Sequence, residues 1–202
     1  SKNGYINRYF NVLSCGDKNG QNIAISSSLA SGAMRIVLSW PNGSSATDLD
    51  SHLTGPDNVT SRFHVYYPSS GKGKFYYYTN LYACSGCSSS QTSDNVTVDR
   101  DDQSSAGTET ITIASIRSGT YRYSVYDYSN GEGKSSGATS TKLATSGADV
   151  LVYYNNGTTT SETPFNLPNI AGSLWKVFTF TLSGGFVEVG TMDHTADSSS
   201  IE

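Results

Sequence analysis

The amino-acid sequence predicts an all-β protein, an antiparallel β-sandwich of Ig-like or jelly-roll-like topology. Short runs of alternating polar and apolar residues are separated by Gly-, Asn- and Pro-containing turn signals, and no stretch of ten residues shows the spacing of an amphipathic helix. The 202-residue chain is also rich in Tyr, with 14, while charged residues make up only 15%. We expect one sandwich domain over residues 31–190, with a strand-like extension before it (residues 1–30), a polar tail after it (residues 191–202), and mobile ends.

The predicted strands are justified one by one by their side-chain pattern. Residues 34–40 are apolar enough for the centre of a sheet, whereas the others alternate as half-buried strands do. Two pairs read as hairpins, residues 109–116 with 121–128, and residues 175–182 with 186–189, because each pair is joined by a short Gly-containing turn. In chain order the predicted strands are residues 5–13, 22–25, 34–40, 48–53, 62–67, 75–81, 96–98, 109–116, 121–128, 150–154, 175–182 and 186–189.

Two acidic segments form the candidate site. In the first, Asp48, Asp50 and His52 share one face of a predicted strand, because side chains two residues apart point the same way. The second segment follows residues 96–98, and Glu109 comes shortly after it. We expect the fold to bring the two segments together, with His64 nearby. The candidate metal ligands are Asp48, Asp50, His52, His64, Asp99, Asp101 and Asp102.

Three interpretations of these residues stay open. Carboxylate oxygens are hard ligands that suit calcium. His52 and His64 with one or two aspartates would instead suit a transition metal. The carboxylates can also simply cap turns or pair with arginines on the surface. We expect no other cofactor, and no catalytic residues, because the sequence contains no nucleophile elbow, phosphate-binding loop or zinc-protease motif.

The cysteines predict a disulfide, and the placement of the N-glycosylation sequons predicts surface positions, although about four sequons are expected by chance at this content of Asn, Ser and Thr. Three cysteines, Cys15, Cys84 and Cys87, predict one structural disulfide with one cysteine left over, and the pairing stays open. Four Asn-x-Ser/Thr sequons lie at turn signals and predict surface positions that can carry glycan. They are at Asn42, Asn58, Asn95 and Asn156.

Charge and hydropathy exclude two classes of partner. The net charge of −4, without a Lys/Arg cluster, argues against nucleic acid. No apolar run reaches the roughly 20 residues that a membrane-spanning helix needs. These features favour an extracellular or cell-surface location.

Six pieces of the sequence together form a recognisable pattern. They are Ile36-Val37-Leu38-Ser39-Trp40, Asp48-Leu49-Asp50-Ser51-His52-Leu53-x-Gly55-Pro56, Phe63-His64-Val65-Tyr66-Tyr67, Asp99-x-Asp101-Asp102, Glu109-Thr110-Ile111-Thr112-Ile113 and Gly119-Thr120-Tyr121-Arg122-Tyr123-Ser124-Val125. With these pieces the chain resembles the YfaP-like family, an uncharacterised group of secreted, mainly bacterial β-sandwich domains. The resemblance spans roughly residues 34–180 and implies an extracellular accessory or surface domain without an assigned activity. It does not extend to the first 30 residues or to the insertion that holds Cys84 and Cys87.

These observations predict a non-enzymatic structural or adhesive protein. Residues 5–13 carry apolar side chains on both strand faces but have no neighbouring hairpin partner. Such a strand can add to the open sheet edge of another copy and build a filament, or it can fold back onto its own sandwich. The alternative function is a carbohydrate-binding accessory module of a secreted enzyme, in which exposed tyrosines stack on surface glycans.

Overall fold

The structure, a computed structural model, describes residues 3–4, 28–56, 62–67, 75–76 and 96–202. These residues form eleven strands in two packed antiparallel sheets, which confirms the predicted all-β sandwich. One four-residue helix, α1 (Tyr128–Gly131), follows the seventh strand, and 3₁₀ turns cover Ser135–Thr139 and Ser198–Ser200. The strands are β1 (Met34–Ser39), β2 (Leu49–Pro56), β3 (Arg62–Val65), β4 (Phe75–Tyr76), β5 (Val96–Arg100), β6 (Thr108–Ile113), β7 (Tyr121–Asp127), β8 (Asp149–Asn155), β9 (Thr160–Asn166), β10 (Leu174–Thr181) and β11 (Gly185–Asp193).

The strand order places the most apolar strand in the middle of its sheet. The first sheet has the order β4-β5-β6-β1-β8-β9, and the second has the order β11-β10-β7-β2-β3. Ile36 of β1 lies opposite Ile111 of β6 on one side and Val152 of β8 on the other. All three side chains are buried between the sheets, as expected for a strand that is apolar along its length.

The predicted hairpin between β6 and β7 is wrong. β6 pairs with β1 and β5 in the first sheet, while β7 pairs with β10 and β2 in the second. The link through Gly119 therefore crosses from one sheet to the other. Both strands alternate with one buried face, so their pattern suits facing sheets as well as neighbouring strands. The predicted hairpin between β10 and β11 is confirmed.

β9 was not predicted as a strand. It carries Pro164 and is polar along most of its length, both of which normally argue against a strand. Its position explains why the proline is tolerated. β9 lies at the edge of the first sheet and pairs only with β8 among the described strands.

The C-terminal tail is packed rather than separate, and its predicted boundary at residue 191 is wrong. β11 continues to Asp193, and Ser198 and Ile201 are buried. Ile201 packs with Tyr126 and Leu174. The Tyr126 hydroxyl also donates a hydrogen bond to the Thr195 carbonyl, at 2.9 Å. These contacts, together with the hydrogen bond from the Ser198 N–H to Glu132, hold a segment whose composition alone resembles a loop.

Several predictions fall on residues that the structure does not describe. These are the strands over residues 5–13 and 22–25, the three cysteines Cys15, Cys84 and Cys87, and the sequons at Asn58 and Asn95. The other two sequon residues, Asn42 and Asn156, are exposed, as predicted for glycosylation sites. Among the described residues there is no helix of the length and hydropathy required to cross a membrane.

Candidate functional site: a buried carboxylate cluster

The two acidic segments meet, as the sequence predicts. One carboxylate oxygen from each of Asp50, Asp101 and Glu109 lies within 4.8 Å of the other two. Asp50 belongs to β2, Asp101 follows β5, and Glu109 belongs to β6. We call these three residues the carboxylate cluster. Within the described part of the chain it is the one group of three His, Cys, Asp or Glu side chains with this spacing.

The cluster joins the two sheets. β2 belongs to the second sheet, and β6 to the first. The Ser51 backbone N–H donates a hydrogen bond to Oε2 of Glu109 across the sandwich, at 2.6 Å. The Ser51 hydroxyl lies 2.8 Å from the hydroxyl of buried Tyr123. This contact fixes β2 at the point where it offers its N–H group to Glu109.

A structured loop holds Asp101 in the cluster. The Trp40 indole N–H donates to the Ser104 carbonyl at 2.9 Å, and the Trp40 backbone N–H donates to the Gly107 carbonyl at 3.1 Å. Gly107 lies so close to the indole that a Cβ atom there would be 1.9 Å from Cζ2 of Trp40. The loop therefore needs glycine at this position because a larger residue would displace it from Trp40.

The cluster is deeply buried and has unpartnered oxygens. Asp50 and Glu109 are each only 2% exposed. Oδ2 of Asp50 and Oε1 of Glu109 have no hydrogen-bond partner among the described residues. A buried carboxylate oxygen without a partner is unfavourable unless a proton or a cation compensates its charge.

The pKa values of the cluster reflect this burial. Burial raises the pKa of Asp50 well above its usual value, and the charges of Asp48, Asp101, Asp127 and Glu132 raise it further. Burial and the charge of Asp50 likewise raise the pKa of Glu109 well above the usual range. Both side chains therefore keep a proton to higher pH than they would in water when no cation is bound.

Asp48 lies at the rim of the cluster. Its Oδ1 atom is buried and has no hydrogen-bond partner among the described residues, although the residue as a whole is partly exposed. Burial, followed by the charges of Asp101 and Asp102, raises the pKa of Asp48. Asp48 therefore adds negative charge next to the cluster without belonging to the group of three.

Two of the predicted ligands, Asp99 and Asp102, lie outside the group of three and make other contacts. Asp99 is exposed and accepts hydrogen bonds from the hydroxyls of Thr97 and Thr112. Asp102 forms an ion pair with Arg100 and accepts a hydrogen bond from the Ser104 backbone N–H, at 3.0 Å. These contacts are the turn-capping and arginine-pairing roles that the sequence left open for aspartates in loops.

The two histidines form a separate pair, so a transition-metal site built from both histidines and the aspartates is not assembled. Nδ1 of His52 lies 2.9 Å from Nε2 of His64, and Tyr66 stacks on both rings. Burial, followed by the charge of His64, lowers the pKa of His52 well below its usual value. Burial also lowers the pKa of His64, to about 4. Both rings are therefore neutral at physiological pH.

Glu109 is the member of the cluster that the candidate ligand set omitted. It alternates in phase with Ile111 and Ile113, and all three are buried. A glutamate on the apolar face of a half-buried strand is the signal that identifies it, since a buried carboxylate requires a proton, a partner or a metal.

The chemistry open to the cluster is restricted by its burial. Asp50 and Glu109 expose too little surface for both to contact a sugar ring or a peptide. A small cation is therefore a better fit to the cluster than an organic substrate. Comparisons with family models, curated proteins and solved structures find no match to this chain. The resemblance to the YfaP-like family stays a prediction.

Proposed function

We propose that this chain is an extracellular structural or adhesive β-sandwich that assembles by adding strands to an open sheet edge. The observation that supports this proposal is that β11 is a long, partly apolar edge strand. It has nine residues and lies at the edge of the second sheet, and its outward side chains Val187 and Val189 are 59% and 38% exposed. A long edge strand with exposed β-branched residues is a favourable site for pairing with another chain.

The other edges lack this character. β3 and β4 have only four and two residues in the described part of the chain. β9 carries Pro164, which cannot donate to a neighbouring strand. β11 contains no proline and no lysine, although it carries exposed Glu188 and a register shift against β10 between Glu188 and Thr191. Its length and the absence of proline therefore favour β11 as the acceptor.

The proposed donor is residues 5–13 of a neighbouring copy. Their sequence alternates with apolar side chains on both faces, so pairing on an open edge would suit them better than a solvated position. Exchange between copies would then form a head-to-tail contact that propagates into a filament.

The buried aromatic residues weigh against the carbohydrate-binding alternative. Such a module needs aromatic rings on an exposed face to stack on sugars. Every Phe, Tyr and Trp whose side chain the structure describes is buried or half-buried. Most of them pack in the core, as Tyr123 does on Phe178 and Phe165 does on Phe178, whereas Tyr66 and Tyr67 are half-buried outside it. A role in binding surface glycans has no comparable support.

Light scattering on a sizing column tests the proposed assembly over a range of protein concentrations. We expect the full chain to form polymers, and we expect Val187→Lys to reduce them because a charged side chain on an edge strand opposes pairing. The matched control is Glu162→Lys, which adds a lysine to the protected edge and should leave the polymers unchanged. Deleting residues 1–14 should give a folded monomer. A monodisperse full-length monomer at high concentration would overturn the proposal.

A further inference from the structure

We propose that Asp50, Asp101 and Glu109 bind one calcium ion between the two sheets. This site is independent of the proposed assembly through β11, because none of its residues belongs to β10 or β11. The proposal rests on the spacing of the three carboxylates, on the unpartnered oxygens of Asp50 and Glu109, and on the elements that hold these residues.

The spacing suits an ion of the size of calcium. Calcium binds carboxylate oxygens at about 2.3–2.6 Å, so it can bridge oxygens that are up to about 5 Å apart. The three cluster oxygens all lie within 4.8 Å of one another. Three carboxylates supply enough negative charge to neutralise a divalent cation, and Asp48 adds further charge at the rim.

The unpartnered oxygens provide a second, independent indication of a ligand. Oε2 of Glu109 accepts the Ser51 N–H, which leaves Oε1 buried without a partner among the described residues. Oδ2 of Asp50 likewise has no partner among the described residues, and Asp50 and Glu109 are each only 2% exposed. Acidic side chains on a solvated surface would not be left in this state, because water would satisfy them.

The ligand type and the burial together favour calcium over other common ions. All three ligands are oxygens, whereas zinc and copper sites prefer nitrogen and sulfur ligands. Magnesium holds several of its water molecules, and a site whose ligands Asp50 and Glu109 are 2% exposed leaves little room for them. Calcium accepts irregular geometry and fewer waters, so it is the best fit.

The surrounding elements would hold the ligands in place before the ion arrives. Trp40 fixes the loop after Asp101, and the Ser51 N–H fixes the Glu109 carboxylate. The Glu109 carboxylate and the backbone after Asp101 are thus already held in place, which lowers the entropic cost of binding. Because Asp50 and Glu109 belong to different sheets, the bound ion would also cross-link the sandwich.

Terbium luminescence and titration calorimetry on the full chain test the site. Any bound metal is first removed with EDTA, and the EDTA is then removed before the titration. Terbium replaces calcium in oxygen sites, and we expect it to gain emission by energy transfer from Tyr123 or Trp40, with calcium displacing it. Calorimetry should give one calcium per chain, and calcium should raise the melting temperature because it binds only the folded state.

Two matched variants identify the ligands. Asp50→Asn retains the shape of the side chain and should weaken calcium binding by about tenfold or more, because affinity follows the number of charged ligands. Asp99→Asn removes a neighbouring exposed carboxylate outside the cluster and should leave affinity unchanged. Circular dichroism checks that both variants are folded.

Three results would overturn the calcium proposal. The first is the absence of calcium binding and of any thermal shift in the folded wild-type chain at millimolar calcium. The second is equal calcium affinity in wild type and folded Asp50→Asn. The third is tighter binding of magnesium or zinc than of calcium. The wild-type titration decides the question by itself if Asp50→Asn does not fold. None of these results depends on whether the chain forms polymers, so the two proposals can fail separately.

Discussion

Replacing Glu109 by glutamine should stabilise the cation-free protein at neutral and alkaline pH. Glutamine has nearly the same shape as glutamate and can still accept the Ser51 N–H through its carbonyl oxygen. Its amide can also donate to the Asp101 carboxylate. The substitution therefore removes one buried negative charge while the hydrogen bonds of the cluster are retained.

The expected magnitude follows from the spacing of the carboxylates. When two carboxylates of the cluster are both ionised, their charges lie within 4.8 Å of each other and repel by at least about 3.5 kcal/mol at an effective dielectric constant of 20. The raised pKa values of Asp50 and Glu109 mean that the folded chain retains protons that the unfolded chain loses above pH ~4. Without a cation, the free energy of unfolding therefore falls as pH rises from about 4 toward the raised pKa values. Glu109→Gln should recover about 3 kcal/mol at pH 8.

Chemical and thermal denaturation in EDTA at pH 5 and pH 8 measure this effect. The variant should gain most at pH 8, with a rise in melting temperature of roughly 6–12 °C for a chain of this length. Calcium should then stabilise the variant much less than wild type. Asp99→Asn is the control, since Asp99 lies outside the cluster and is exposed. A variant that is less stable than wild type in EDTA at pH 8, with the same pH dependence, would refute this account of the buried charge.

Three further substitutions probe other parts of the structure. Gly107→Ala places a Cβ atom 1.9 Å from the Trp40 ring, so we expect a loss of about 1–3 kcal/mol in urea unfolding together with weaker terbium binding. The pKa of His64 is about 4, below the value of about 6.5 for a histidine in the unfolded chain. Because the unfolded chain binds a proton first, the free energy of unfolding should fall from pH 6.5 toward pH 4 by up to about 1.4 kcal/mol per pH unit. The urea midpoint of His64→Asn should fall less steeply over this range. Ile201→Ala removes the packing of the C-terminal segment on Tyr126, which should cost about 2 kcal/mol and speed carboxypeptidase cleavage.

The fold class could be predicted because alternation is a local property of the sequence. Each run that alternates with period two, such as residues 109–116, needs only its own side chains to indicate a half-buried strand. Pairing is different, because it depends on which surfaces meet in the folded chain. The link through Gly119 suits a hairpin and a crossing between sheets equally well, so the sequence alone could not separate β6 and β7 into different sheets. β9 was missed because an edge strand can be polar and contain Pro164, and edge position is again a property of the fold.

The candidate site was predicted in part, and the reason lies in what strand phase can show. Alternation placed Asp50 and His52 on a common strand face. It could not show that the His52 ring contacts His64 rather than the carboxylates. The acidic run after β5 predicted negative charge near the site, but it did not show which of its side chains points toward Asp50. Only the folded loop shows that Asp101 points into the cluster, while Asp102 pairs with Arg100.

The position of Glu109 in its strand is enough to predict it as the third ligand, because it alternates in step with buried isoleucines. It lies opposite Leu38 of β1, in the middle of the first sheet, and shares its face with Ile111. The register that buries the isoleucine must therefore bury the glutamate, because a slip of one residue would expose the whole apolar face. A sandwich can accept a carboxylate there only if a proton or a cation balances its charge. The same alternation that builds the core thus places an acid inside it, and the unpartnered Oε1 atom of Glu109 is the direct consequence.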